Sequence, residues 1–365
     1  MRYRTHSKTG DKVSEIGFGT AYFYEVGMKE GTRILRRAFE SGINYFDLAT
    51  SDIATFVILR EALHDVRKDI LLQVHFGADY SRDAYGWTLD LEKVKRSVDV
   101  QLRKLQTDYI DYGFIHCQDE LSDWDIYKNN GVLDYLLELK KSGVVRHIGL
   151  SSHTPEVIQK ILDDADVDML MFSINPAYDY HEGAYAIGSA DERSGIYRRC
   201  EAENIGITVM KPFSGRQLLN AHSSPFGVAL TPYQCMKYAL DKPGVLCVLP
   251  GIRSVSELDM LLDYENQSEK ALDYSVIGDF APQDVSGKCV YCNHCKPCPV
   301  GLDIGLINKY YDLAKAGDVL AVEHYKTLEK NAADCIGCGH CDSRCPFKVE
   351  QSDRMKEIRA YMESI

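Results

Sequence analysis

The sequence lacks a long apolar run and any excess of positive charge. No stretch reaches 18 consecutive apolar residues, so no transmembrane helix and no membrane partner are predicted. The opening segment MRYRTHSKTGDKV has no apolar core of the kind a signal peptide needs, so a cytoplasmic protein is expected. With 54 acidic and 42 basic residues the net charge is −12, which leaves no positive field to attract a nucleic-acid backbone.

The chain does have the size and composition of a globular protein. Its 365 residues accommodate a barrel of roughly 250 residues and a small further module. Short apolar runs alternate with amphipathic helical patterns, and eight runs are predicted as strands: Glu15–Thr20, Ile43–Thr50, Ile70–Gly77, Tyr109–Cys117, Val145–Ser152, Val167–Pro176, Ile207–Phe213 and Val245–Ser254. Strict alternation favours the α/β class and a (β/α)8 TIM barrel. An open doubly wound sheet is the alternative, but no G-x-G-x-x-G motif follows the first strand.

Three segments are predicted along the chain. Residues 1–265 form the barrel, and residues 289–365 form a cysteine-rich module with a helical middle at roughly 304–330. Residues 266–288 have weak periodicity and contain Pro282 and Gly287, so they are interpreted as a linker.

The twelve cysteines are distributed unevenly. Cys117, Cys200, Cys235 and Cys247 stand singly in the barrel and are predicted to pack as small hydrophobic residues. The other eight lie in two runs, C-x2-C-x2-C-x2-C-P at 289–299 and C-x2-C-x2-C-x3-C-P at 335–346. Because a reducing compartment disfavours disulfides, this clustering predicts metal binding.

The spacing of these runs is typical of a small ferredoxin-like module with two clusters. Two-residue gaps let three thiolates converge from one loop, and in two-cluster ferredoxins the cysteine that precedes proline ligates the other cluster. One [4Fe–4S] cluster is therefore predicted on Cys289, Cys292, Cys295 and Cys345, and a second on Cys335, Cys338, Cys341 and Cys298. Two structural zinc sites are the alternative, although zinc needs neither a third C-x2 repeat nor a trailing Cys-Pro.

Six motifs of the barrel segment resemble those of the aldo/keto reductase family. They are, in order, VSEIGFGTA, GINYFDLATSD, DYIDYGFIHC, RHIGLSSHT, ITVMKPFSGRQL and VLPGIRSVSEL. The C-terminal module resembles the ferredoxin-type extension of one branch, so the resemblance spans about residues 1–350. It implies the same barrel, a small-molecule substrate, and a Tyr–Lys–Asp–His constellation in which tyrosine protonates a carbonyl oxygen while a nicotinamide delivers hydride.

This chain departs from that constellation at two positions. Asp47 and His116 match the aspartate and the histidine, but Asp52 replaces the tyrosine and His75 the lysine. An ionised Asp52 donates no proton unless burial beside Asp47 raises its pKa, so His75 or His116 is the other candidate donor. Two further interpretations remain. The four side chains bind a divalent metal ion, or they form a structural hydrogen-bond network with no catalytic role.

The resemblance also implies a set of cofactor contacts. The matching positions are Gly19, Thr20, Ser151, Ser152, Asn175, Lys211, Gly251, Arg253 and Ser254. Ser152 and Asn175 differ from the amide residues of the family, so NAD(P)H is a possible rather than a required cofactor here. The loop after the eighth strand suits either a phosphate or an ordinary βα connection. His153 is expected to be a solvated loop histidine.

The predicted function is an iron–sulfur oxidoreductase in which redox chemistry at the barrel mouth is coupled to one-electron transfer through two [4Fe–4S] clusters. A hydride carries two electrons, whereas a cluster transfers one electron at a time, so linking the two requires an intermediary such as a flavin. A flavin therefore remains a candidate cofactor, although no flavin motif is recognisable. An electron-transfer partner such as a ferredoxin is expected. The alternatives are an NAD(P)H-dependent carbonyl reductase with structural clusters, and a non-catalytic electron-transfer scaffold or redox sensor.

Overall fold

The computed structural model of the chain describes residues 1–80, 85–180, 186–280, 287, 289, 295–315, 322, 325–345 and 347–365. Eight parallel strands follow one another in chain order: β3 (Phe18–Gly19), β4 (Tyr45–Asp47), β5 (Leu71–Phe76), β8 (Ile110–Ile115), β9 (Val145–Ser152), β10 (Met169–Ser173), β11 (Gly206–Met210) and β12 (Val245–Val248). Gly17 N–H donates to Val248 O at 2.8 Å and Gly19 N–H to Pro250 O at 3.0 Å. These bonds join the first strand to the last, so the sheet closes and the predicted barrel is confirmed.

Helices cover the outside of the barrel. They are α1 (Met28–Glu40), α2 (Ala54–Leu63), α3 (Leu91–Leu105), α4 (Leu121–Asn129), α5 (Val132–Ser142), α6 (Pro155–Asp164), α7 (Pro176–Asp179), α8 (Ala190–Ala202), α9 (Pro232–Leu240) and α10 (Val255–Leu262). Proline, with its fixed φ, occupies the first helical position of α6 and α9 and so favours the start of both helices. Thr231 and Gln234 complete a capping box at the start of α9.

Two antiparallel hairpins are added to the barrel. Strands β1 (Tyr3–Thr5) and β2 (Lys12–Ser14) form the first, and Val13 of this hairpin packs into the barrel interior beside Tyr45 and Tyr112. Strands β6 (Ala78–Asp79) and β7 (Gly86–Trp87) form the second, directly after β5. The loop that links β6 to β7 therefore starts from the carboxyl-terminal end of the barrel.

The interior packing leaves no room for a side chain at one point of β9. A Cβ atom on Gly149 would lie 2.3 Å from the ring of Phe114. Glycine at this position leaves room for the ring of Phe114, its neighbour on the adjacent strand β8.

The predicted linker is partly structured. Its first half contains α11 (Glu269–Leu272) and a 3-10 turn at Ser275–Phe280, and both Tyr274 and Ile277 are buried in the barrel core. Residues 281–286 and 288 of the linker lie outside the described residues.

The C-terminal module contains three described helices and a small core of its own. The helices are α12 (Ile304–Lys315), α13 (His340–Arg344) and α14 (Gln351–Glu363). Ile307, Tyr311, Met355 and Ile358 form the centre of its core. Of the predicted helical middle, residues 316–321, 323 and 324 lie outside the described residues.

The module contacts the barrel directly. The ring of Phe347 stacks on Tyr180 with centroids 5.9 Å apart, and both rings are buried. Lys309 of α12 pairs with Glu201 of α8 at 2.5 Å. Within the described part of the chain, no helix combines the length and apolar character that crossing a bilayer requires.

Candidate active site and cysteine centres

Three of the four predicted catalytic side chains meet at the mouth, the end of the barrel where the strands have their carboxyl termini. Asp47 ends β4, His75 lies near the end of β5, and His116 directly follows β8. All three are buried, with 3%, 1% and 6% of their surface exposed. They line a cavity of about 590 Å³, in the place where barrel enzymes carry their active sites.

Hydrogen bonds link these side chains in one unbroken row. Asp47 Oδ1 lies 2.7 Å from His75 Nε2, His75 Nδ1 lies 3.1 Å from His116 Nδ1, and His116 Nε2 lies 2.9 Å from the hydroxyl of Tyr85. An ionised carboxylate only accepts hydrogen bonds. With Asp47 ionised, His75 Nε2 donates to Asp47, His116 Nδ1 donates to His75, and Tyr85 donates to His116. We call Asp47–His75–His116–Tyr85 the acid–base row.

The electrostatics fit this arrangement. Burial, and secondarily the neighbouring His75, lower the pKa of His116 well below its ordinary value. Burial raises the pKa of Tyr85 to about 12, with a further contribution from the thiol of Cys117. At neutral pH, His116 is therefore a neutral acceptor and Tyr85 a protonated phenol.

Asp47 is held in place by further donors. Gln73 Nε2 donates to Asp47 Oδ1 at 3.0 Å, and the backbone N–H of Ala49 donates to the same oxygen at 3.2 Å. Tyr45 in turn donates to Gln73 Oε1 at 2.8 Å. Sequence reasoning missed Gln73, although it stands two residues before His75 and so on the same face of β5.

Tyr85 was also missed, and Asp52 lies apart from the row. The phenol of Tyr85 lines the mouth cavity and joins the acid–base row. Asp52 makes no described contact with that row. Its Oδ1 accepts the backbone N–H of Ala54, two residues on, at 2.8 Å, which is the contact of an Asx turn before α2.

The predicted cofactor residues fall into two groups. Gly19, Ser151, Lys211 and Gly251 line the mouth cavity. The amide of Asn175 is instead engaged within the chain, because its Oδ1 accepts from Tyr178 N at 3.0 Å and its Nδ2 donates to Lys211 O at 2.9 Å.

The remaining cofactor positions also bond to the chain itself. Thr20 donates its hydroxyl proton to Asp47 O at 2.8 Å, and Ser152 donates to Asp119 Oδ1 at 3.2 Å. Ser254 caps α10 by accepting the N–H of Glu257 at 3.1 Å. The guanidinium of Arg253 pairs with Glu25 at 3.0 Å and with Glu257 at 3.3 Å, so its charge is balanced by two carboxylates.

A second polar group lies at the same mouth. His153 Nδ1 is 3.0 Å from Asp119 Oδ2, and the Sγ of Cys117 is 3.6 Å from that same oxygen. The expectation of a solvated His153 is wrong, because only 6% of its surface is exposed. The segments HCQD and SSHT follow the neighbouring strands β8 and β9, and that adjacency is the signal that sequence reasoning did not use.

Four cysteines of the C-terminal module surround one small cavity. They are the four predicted for the second cluster, namely Cys298, Cys335, Cys338 and Cys341. The backbone N–H of Gly337 points at the Sγ of Cys335 at 3.4 Å. Converging thiols with a backbone donor to sulfur are the donor set that an iron–sulfur cluster takes, so these residues fit the group.

Two of the four ligands predicted for the first cluster lie against the barrel. Cys289 and Cys345 pack against the barrel core, whereas Cys295 is buried in the core of the C-terminal module. Val349 N–H donates to the Sγ of Cys345 at 3.4 Å. Cys292 lies outside the described residues, and none of the described cysteines forms a disulfide.

A closed parallel barrel with acid–base side chains at its mouth, followed by a cysteine-rich domain, defines an oxidoreductase barrel with an iron–sulfur extension. Comparison with family models agrees with this class: residues 15–226 match the aldo/keto reductase family, and residues 286–349 match a 4Fe-4S dicluster domain. The chain belongs to the aldo/keto reductase family, which confirms the resemblance of its motifs.

Several relatives share the barrel. An uncharacterized oxidoreductase of Bacillus subtilis is 26% identical over 71% of this chain and 89% of its own length. L-galactose dehydrogenase of Arabidopsis thaliana is 25% identical over 71% of this chain and 86% of its own. The solved holo form of an aldo-keto reductase from Bacillus halodurans superposes with a TM-score of 0.62 at 22% identity, over 77% of this chain and 97% of that structure. This last likeness shows the fold.

Proposed function

We propose that this chain is an iron–sulfur oxidoreductase that interconverts a small carbonyl compound and its alcohol at the barrel mouth, with electrons exchanged singly through two [4Fe–4S] clusters. The observation that carries the proposal is the acid–base row, which runs from buried Asp47 to the phenol of Tyr85 at the mouth cavity. The names of the relatives, an oxidoreductase and a sugar dehydrogenase, support the same class of chemistry.

The residues assigned to the clusters are the two cysteine sets defined above. Reduction of a carbonyl to an alcohol consumes two electrons and two protons, of which the acid–base row delivers the proton on oxygen and solvent the proton on carbon. When bound, two clusters supply two electrons one at a time, which matches that demand. The proposed domains are the barrel at 1–265, the connection at 266–288, of which Tyr274 and Ile277 pack into the barrel core, and the cluster domain at 289–365.

The chain's own residues handle a proton. In one arrangement of the acid–base row, Asp47 is ionised and every donor points toward it. In the other, the proton is on Asp47 and every donor points toward the cavity. Switching from the second arrangement to the first releases one proton from Tyr85 to a substrate oxygen without displacing any side chain. In this proposal His75 replaces the family's lysine, and Asp47 keeps the position of the family's aspartate.

A nicotinamide-dependent carbonyl reductase is the second candidate. Gly19, Ser151, Lys211 and Gly251 favour it because they line the mouth cavity at the family's cofactor positions. Against it, the amide of Asn175 and the guanidinium of Arg253 already bond within the chain. We therefore rank the iron–sulfur route first.

The test is a reoxidation assay on anaerobic holoprotein. The protein is reduced with dithionite, freed of excess reductant and mixed with a panel of aldehydes and ketones, and recovery of the cluster absorbance is followed. We expect at least one carbonyl compound to reoxidise the protein and to yield its alcohol. Tyr85→Phe should slow that reaction about 100-fold or more, as loss of a general acid does.

A matched control is available at the other end of the barrel. Tyr3 donates its hydroxyl proton to Gly42 O, close to where β4 begins, so Tyr3→Phe should leave the rate unchanged. An unchanged rate in Tyr85→Phe, or no carbonyl compound that reoxidises the protein faster than buffer does, contradicts the proposal.

A further inference from the structure

The acid–base row makes no use of the Cys117, Asp119 and His153 side chains at the same mouth. One ligand-type atom from each of these three side chains lies within 4.8 Å of the other two. We propose that they bind one zinc ion, with the fourth coordination position open to the mouth cavity. This inference goes beyond the proposed function and does not depend on it.

The side-chain types define the kind of ion. A thiolate, an imidazole and a carboxylate form a mixed soft and borderline set, which suits zinc and does not suit magnesium or calcium, since those ions take oxygen ligands. Catalytic zinc sites use three protein ligands and leave one position open. Cys117 and His153 line the cavity, so the open position would face the space in which a substrate binds.

The spacing of the atoms agrees with tetrahedral coordination. A zinc ion with bonds of about 2.3 Å to sulfur and about 2.0 Å to oxygen or nitrogen holds its ligand atoms about 3.3–3.5 Å apart. The Sγ of Cys117 lies 3.6 Å from Asp119 Oδ2, and His153 Nδ1 lies 3.0 Å from the same oxygen. Both distances are within a few tenths of an ångström of the tetrahedral values. All three ligand atoms lie within 4.8 Å of one another, so Cys117 and His153 must approach each other when the ion binds.

The scaffold around the group is rigid. Gln118, which separates two of the ligands, is fully buried, and its N–H donates to Ser151 O at 3.0 Å, which ties the loop after β8 to the end of β9. The second oxygen of Asp119 accepts the N–H of His153 at 2.6 Å and the hydroxyl of Ser152 at 3.2 Å. Such outer contacts orient a metal-binding carboxylate and leave Oδ2 to face the ion.

Binding balances in protons and in charge. Zinc replaces the thiol proton of Cys117, which leaves to solvent. The single proton of His153 moves from Nδ1, which faces Asp119 Oδ2, to Nε2, so that Nδ1 can bind the ion. The ammonium group of Lys211 interacts electrostatically with both Cys117 and Asp119. Its ammonium opposes a second cation, so removing that charge should strengthen zinc binding.

The experiment measures metal rather than turnover. Anaerobic holoprotein is equilibrated with zinc chloride buffered by a competing chelator, and zinc and iron per chain are determined by mass spectrometry. We expect about one zinc ion with the iron content unchanged. Cys117→Ser and His153→Gln should each weaken zinc binding about tenfold or more, and Lys211→Met should strengthen it.

Two further measurements separate this site from the cysteines of the cluster domain. Cys235→Ser, which removes a buried thiol from α9, should keep the zinc. X-ray absorption at the zinc edge should show one sulfur neighbour with two or three lighter atoms. Four sulfur neighbours, or unchanged zinc affinity in both Cys117→Ser and His153→Gln, overturn the proposal, and neither result bears on the reoxidation assay.

Discussion

The hydroxyl of Tyr85 lies 2.9 Å from Nε2 of His116, although the two residues come from the loops after different strands. The resemblance of the motifs predicts Asp52, after β4, at the position of the family's tyrosine. In this chain a phenol reaches the mouth from the β6–β7 hairpin instead. The side chains needed to move a proton are therefore present, but they are supplied by different parts of the barrel.

Two aspartates of the same loop region should behave in opposite ways. Asp47→Asn removes the acceptor that fixes the tautomer of His75, so we expect the rate of carbonyl-dependent reoxidation to fall about 100-fold or more. Asp52→Asn alters only the contact at the start of α2, and should cost at most about 1 kcal/mol of stability with the rate retained. Equal effects of the two variants on the rate would contradict the assignment.

The assignment of cysteines to clusters predicts which cysteine substitutions remove the same cluster. Cys298→Ser and Cys335→Ser should remove the same cluster, because both residues line one cavity although 37 positions separate them in sequence. Iron should fall from about eight to about four per chain in each variant, as expected for loss of one of two [4Fe–4S] clusters. Electron paramagnetic resonance of the reduced protein should show the same remaining signal in both.

Cys345→Ser provides the comparison for that pair. It should also halve the iron content, but the remaining signal should be that of the other cluster. Zinc in place of iron in anaerobically prepared protein, or different remaining signals in Cys298→Ser and Cys335→Ser, would show that the assignment is wrong.

Burial of His116 makes stability depend on pH. Its pKa in the folded protein lies well below the value near 6.5 that it has in an unfolded chain. Below about pH 6.5 the unfolded state therefore binds a proton that the folded state does not bind, and stability falls by up to about 1.4 kcal/mol per pH unit. His116→Asn should lose less stability than wild type between pH 7 and pH 5, measured by urea denaturation of anaerobic protein.

The other histidines with lowered pKa values, His6 and His147, are present in both proteins, so the difference between the two curves isolates His116. Parallel loss of stability in wild type and His116→Asn would mean that this histidine is not the group that titrates.

The hydrogen bonds of Asn175 and the ion pairs of Arg253 predict that NADH and NADPH are poor electron donors to this protein. Binding of the cofactor amide or phosphates at these positions first requires breaking contacts within the chain. We expect NADH and NADPH to bleach the clusters far more slowly than a reduced ferredoxin does in an anaerobic titration. Rapid bleaching by either nicotinamide would favour the carbonyl reductase alternative.

The sequence was sufficient for the barrel and for part of its mouth. The apolar runs predicted the strands, and the resemblance to the aldo/keto reductase family then placed Asp47, His75 and His116 together at the strand ends. Tyr85 could not be placed, because the path of the β6–β7 hairpin depends on tertiary packing rather than on periodicity. Asp52 was assigned by position in the family, whereas the local turn directs its carboxylate to the N–H of Ala54.

The stacked rings of Tyr180 and Phe347 make the solubility of the protein depend on an intact C-terminal domain. Tyr180 also packs edge-on against Phe226 of the barrel. The ring of Phe347 in the C-terminal domain therefore covers a hydrophobic patch on the barrel. Damage by oxygen that loosens the cysteine loops would uncover this patch. Air-exposed preparations should then precipitate as well as lose colour, and iron supply during expression becomes a determinant of solubility.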